Sequence, residues 1–154
     1  MPGSPVRMAV LVLLSAVLAA TTSFAAGPDA VKDRIAHMKG LGAAAKAVGD
    51  QLRSGSPGPV VVKDEAAKIA AASQAMVNWF PKGSGPEAGV KTRALPLIWS
   101  DAAGFAAAQK AFGVQAAKLN AASASGDIAV TGVETKALFG ACKGCHDKYR
   151  GPEV

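Results

Sequence analysis

Apolar residues recur at steps of three and four along four stretches of this 154-residue chain, and Gly, Pro and Ser punctuate the gaps between them. That spacing lays one apolar stripe along each of four helices. Nothing alternates with period two over a useful length, which leaves no basis for a sheet. Composition agrees: 34 residues are Ala and only 5% are aromatic, and Ala is the best helix former and a poor strand residue. The length suits one domain. Four helices of 17 to 26 residues, joined mostly by short loops, predict an all-α fold, an antiparallel four-helix bundle.

The first helix is expected from Pro28, a residue suited to the first helical position, to about Arg53. Its inward stripe reads Val31, Ile35, Met38, Gly42, Ala45, Gly49 and Leu52, widened by Leu41 and Val48. After Ser54–Pro59 breaks the chain, a second helix is expected over about Val61–Phe80, with Val62, Ala66, Ile69, Ser73, Met76 and Phe80 inward. Pro81–Trp99 is rich in Gly and Pro and reads as a long irregular connection. Ser100 is the expected cap of the third helix, with Asp101 favouring its positive end. Phe105, Ala108, Phe112, Ala116 and Leu119 form that helix's apolar face, and Ala121–Ala129 reads as a turn. The last helix opens with the capping box Thr131 to Glu134, or one turn earlier, and carries Leu138, Cys142, Cys145 and Tyr149 on one side.

Residues 1–25 read as a signal peptide, which leaves 26–154 as the bundle domain. Arg7 precedes an uninterrupted run of apolar or small residues, Met8–Ala20, and Ser23 and Ala25 supply the small residues before the cleavage point. The run is shorter than the ~20 residues of a spanning helix, so no membrane anchor is expected after cleavage. The full chain carries 17 Lys+Arg against 11 Asp+Glu. Its basic residues are scattered singly among acids without interleaved aromatics, so the charge reads as a solvated exterior rather than a nucleic-acid surface.

The chain has two cysteines, too few for a disulfide-rich scaffold. Both lie in Cys142-Lys143-Gly144-Cys145-His146, which fits the C-x-x-C-H pattern of c-type haem attachment. Two thiols one helical turn apart can each add to one haem vinyl group, and His146, next in sequence, can then serve as an axial ligand. One haem c held through Cys142 and Cys145 is therefore the expected cofactor. A structural zinc site would need a fourth ligand. A redox dithiol normally follows a strand, and an i,i+3 disulfide would close almost no loop. A haem-free thiol or metal-binding helical protein stays as the alternative from another class.

From Cys142 to Arg150 the chain resembles the ending of the cytochromes c′, the class II c-type cytochromes of bacteria. Val31–Met38 is similar to the family's first-helix pattern, an Arg followed four residues later by Met or Leu. Pro96–Asp101 is similar to the opening of its third helix. The resemblance spans essentially the whole chain after residue 25. It implies a periplasmic, often dimeric bundle with covalently bound haem near one end.

The same resemblance puts Met38 at the distal haem position. If Met38 packs over the iron without binding it, the haem is five-coordinate and its apolar pocket admits nitric oxide or carbon monoxide. If Met38 ligates, the result is a low-spin His/Met electron-transfer protein, with redox proteins as partners in either case. Arg34 inclines the reading toward the open site. One turn before Met38, it can reach a haem propionate or remain a solvated charge. Arg150, four residues after His146, borders the proximal pocket by resemblance. Met76, Trp79 and Phe80 read as core, and His37, Lys143 and Asp147 as exterior. No acid/base pair or nucleophile is recognisable, so the chain does not read as an enzyme.

Overall fold

Helix α1 covers Pro28–Arg53, α2 Pro59–Ala75, α4 Ala102–Ser125 and α5 Ile128–Tyr149, with a single-turn α3 at Leu97–Ser100. The computed structural model describes residues 27–153, so the signal peptide expected over 1–25 lies outside the described residues. The four long helices form a bundle in which α2 packs on α1 and α4, and α4 on α5, while α1 and α5 meet over only a short stretch. Among the described residues the only extended pairing is an isolated bridge between Ala94 and Arg150.

Sequence explains where these helices start and stop. Proline stands at the first turn of both α1 and α2, where its missing N–H costs nothing. Helix α2 starts two residues before the expected Val61, and its last turn tightens into a 3-10 helix at Met76–Asn78. Gln109 donates to the Met76 carbonyl at 3.1 Å, so α4 satisfies one of the free carbonyls at that end.

Two expectations are corrected. The cap of α4 is Asp101, whose carboxylate accepts from the Gly104 N–H at 3.1 Å, whereas Ser100 closes the short α3. Ala121–Ser125, read as a turn, continues α4 until Gly126, which takes a left-handed conformation at φ 77°. Ala needs no packing to stay helical, and Ser123 and Ser125 turn their hydroxyls back to the carbonyls of Asn120 and Ala122. Asp127 then caps α5 by accepting from Val130 N–H at 3.0 Å, so the helix opens one turn before Thr131. Thr131 and Thr135 sit buried inside it, their hydroxyls bonded to the carbonyls four residues back.

The main core consists of Ala44, Val48, Val62, Ala66, Ile69, Met76, Phe112, Ala116, Leu119 and Leu138. Met76 is thus the core side chain expected. The buried side of α1 is Val31, Arg34, Ala44, Val48 and Gly49. It is rotated from the expected stripe, because Gly42 faces solvent and Arg34 faces inward. A second, smaller cluster, Ile98, Phe105 and Tyr149, lies where the long connection, α4 and the end of α5 meet.

Candidate haem site

Helix α5 places Cys142 and Cys145 one turn apart, both half-buried and both free thiols. Cys142 packs against the main core together with Met38, Leu41, Trp79 and Phe80. Cys145 packs against the smaller cluster together with Phe80, Ala94, Trp99 and Ala108. Phe80 borders both clusters, so each thiol lies at the margin of an apolar cluster against which Phe80 also packs. Burial, aided by the neighbouring Cys145, pushes the Cys142 thiol up from its ordinary range. Burial alone does the same for Cys145, so both thiols are protonated at neutral pH.

His146 follows on the exposed side of the helix. Arg150 Nη1 lies 3.3 Å from its Nδ1. Loss of water around the ring, then the charges of Arg150 and Arg93, hold the imidazole below its ordinary range against the opposing pull of Asp147. The ring is neutral at pH 7, the form that can ligate a metal. Lys143 and Asp147 pair with each other on the exterior, as expected.

Arg34 is not the solvated charge that its residue type suggests. It is 3% exposed and donates to Ser84 Oγ and the Ser84 carbonyl, both at 2.7 Å, and to Thr92 Oγ1 at 3.1 Å. Its guanidinium also lies over the rings of Phe80 and Trp99, at 5.2 and 5.7 Å. Burial lowers its pKa and the charge of Glu87 works the other way. All three hydrogen-bond acceptors are neutral, so a buried cation stands one turn from Met38 without a bonded anion. Met38 is half-buried against the main core. His37, exposed as expected, stacks on Trp79 with ring centroids 4.8 Å apart.

Three features of this end were not read from the sequence. Phe80, Phe105 and Tyr149 form an edge-to-face chain with centroid spacings of 4.7 and 5.1 Å. Asp101, besides capping α4, accepts from Lys148 Nζ at 2.6 Å and from Tyr149 OH at 2.9 Å, which fixes the last turn of α5. The long connection runs over that turn. Leu95 N–H donates to the Tyr149 carbonyl at 3.1 Å and Gly151 N–H to the Arg93 carbonyl at 2.7 Å. An open recess of about 450 Å³ between the connection and α4 is lined by Val77, Phe80, Trp99 and Phe105 but by neither cysteine.

The donor set fits a covalently held haem better than a bare ion. Two protonated thiols each pack against an apolar cluster, and a neutral imidazole stands on the next residue. Among the described residues no three His, Cys, Asp or Glu side chains converge closely enough to hold a metal.

Comparison with known proteins agrees with these observations. Residues 29–150 match the family described as Cytochrome C′. The cytochrome c′ of Rhodospirillum rubrum is 33% identical over 146 residues, covering 94% of this chain and 97% of that protein. The cytochrome c′ crystal structure from Rubrivivax gelatinosus superposes with a TM-score of 0.73 at 32% identity, covering 79% of this chain and 94% of the other. A ferrous variant of the Alcaligenes xylosoxidans protein with bound NO superposes with a TM-score of 0.73 at 27% identity, covering 83% and 98%. Proteins of this family bind covalently attached haem c. With its four-helix bundle and its paired thiols beside a histidine on the last helix, this chain belongs to the cytochrome c′ family.

Proposed function

We propose that this protein is a periplasmic electron and gas carrier, with its haem c bonded to Cys142 and Cys145, His146 as axial ligand and Met38 on the distal side. The observation that carries this reading is the pair of half-buried free thiols, one turn apart on α5, each packed against an apolar cluster and followed by His146. Each thiol would add its S–H across one vinyl double bond, sulfur to one carbon and hydrogen to the other, so attachment consumes no oxidant. The haem, once bound, supplies an iron that alternates between ferric and ferrous states and can take up a diatomic gas.

The protein's own part is to hold and to exclude. Neutral His146 offers a ring nitrogen without first losing a proton. Met38 would keep the distal side apolar and hinder entry of water and larger polar ligands. The buried cation of Arg34, bonded only to neutral oxygens of Ser84 and Thr92, would find its anionic partner in a propionate. Binding of NO by a relative of the same fold supports gas binding here. Export by the segment 1–25, a homodimeric state, service to redox proteins and the lack of catalytic turnover complete the proposal.

A ferrous absorption spectrum with and without carbon monoxide tests the distal reading. A high-spin spectrum that shifts with the gas supports the five-coordinate iron. Sharp low-spin bands that ignore the gas, and that vanish in Met38→Ala, would replace it with His/Met ligation, which the half-buried position of Met38 also allows.

A further inference from the structure

Tyr149 is the only tyrosine of the chain, and it is 3% exposed. It stands three residues after His146, in the small cluster of Ile98, Phe105 and Tyr149 against which Cys145 also packs. Its hydroxyl donates to Asp101 Oδ2 at 2.9 Å. The same oxygen accepts from Lys148 Nζ at 2.6 Å, and Asp101 Oδ1 accepts from the Gly104 N–H at 3.1 Å. These contacts hold the Asp101 carboxyl below its ordinary range, so it is a carboxylate at neutral pH. Its side chain is 32% exposed, so a proton taken from Tyr149 can pass on to water.

We propose that Tyr149 and Asp101 form an internal donor pair that gives one electron to the haem site when hydrogen peroxide oxidises it. The inference rests on the haem reading above. Reduction of the peroxide to two waters breaks its O–O bond and takes two electrons, with two protons from solvent. One electron is drawn from the haem and the other from Tyr149, whose O–H bond breaks as its proton bonds to Asp101 Oδ2. A neutral phenoxyl radical remains on Tyr149. Electron and proton leave together, because loss of the electron alone would put a positive ring 5.1 Å from Lys148 Nζ. The hydroxyl and the carboxylate are close enough for the proton to pass directly. Trp99 packs against the same cluster, but its Nε1 donates to the carbonyls of Phe80 and Pro81, which do not hold a proton. Of these two aromatic side chains, Tyr149 is the one with a carboxylate as proton acceptor.

Haem-loaded ferric protein would be mixed with hydrogen peroxide, freeze-quenched and measured by electron paramagnetic resonance, with ordinary and with ring-deuterated tyrosine. The expected result is a phenoxyl signal that narrows with the deuterated ring, which a single tyrosine assigns directly. Tyr149→Phe, which retains the ring and its edge contacts, should lose the signal. Asp101→Asn still accepts a hydrogen bond but is a far weaker base, and it should lower the radical yield about tenfold. No phenoxyl signal in the parent, or a radical carried by tryptophan alone, overturns the proposal. So does an unchanged yield in Asp101→Asn, which would leave the bond from Tyr149 as an anchor of α5 only. Covalently attached haem without the tyrosine signal refutes this inference alone. A parent protein that attaches no haem refutes the haem reading and this inference together.

Discussion

Arg34 has three neutral hydrogen-bond partners, two aromatic faces and almost no contact with water. Truncating it would leave Ser84 and Thr92 without their donor and open a hole beside Phe80. Arg34→Ala should therefore cost about 2–4 kcal/mol of unfolding free energy, measured by urea denaturation. A loss below about 0.5 kcal/mol would mean that the guanidinium is in effect solvated. The residues of the site differ in how far they could be read from the sequence for a physical reason. Cys142, Cys145 and His146 were readable because thioether chemistry demands a fixed local spacing. The burial of Arg34 was not, because its partners lie 50 and 58 residues away. Arg93 gave no signal either, since its hydrogen bond to the Gly151 carbonyl joins positions 58 residues apart.

At the scale of elements, apolar periodicity was enough to find all four long helices, and the start and end of α1 were read correctly. The errors fell where Ala and Ser carry no periodic information, at the end of α4, and where two neighbouring residues could both cap, at Ser100 and Asp101. Both ends yield predictions. Gly126 has φ 77°, and the space that a methyl group on its Cα would fill is open. Gly126→Ala should thus cost about 1 kcal/mol through backbone strain alone, read from the urea midpoint at unchanged slope. Asp101 has its pKa lowered, first by Lys148, then by Tyr149 and the Gly104 N–H. A carboxylate with a depressed folded-state pKa stabilises the fold above its unfolded value of ~4, and that contribution is lost as pH falls through the folded value. Asp101→Asn should melt below the parent at pH 7, and the gap should close as the pH drops below ~4. A gap independent of pH would assign Asp101 a capping role only.

For the whole molecule, the bundle is most loosely joined where α1 and α5 meet, and the residues assigned to the haem lie on those two helices. Arg34 and Met38 stand on α1, with Cys142, Cys145, His146 and, at its C-terminal boundary, Arg150 on α5. The long connection joins these two sides, bonded to Arg34 at Ser84 and to the tail beyond α5 at Arg93. Periodicity gave no hint of this role, because the segment has no repeating structure and works through individual hydrogen bonds. A porphyrin between α1 and α5 would supply apolar contact that Ala-rich helices lack there, so the account depends on its covalent attachment. The most direct measurement is the absorption spectrum of the polypeptide, produced with haem-attachment machinery, after denaturation and acid-acetone extraction. The haem should stay with the protein, and replacing both Cys142 and Cys145 by Ala should release it. Haem that extracts from the unaltered chain, or that never binds, would contradict covalent attachment.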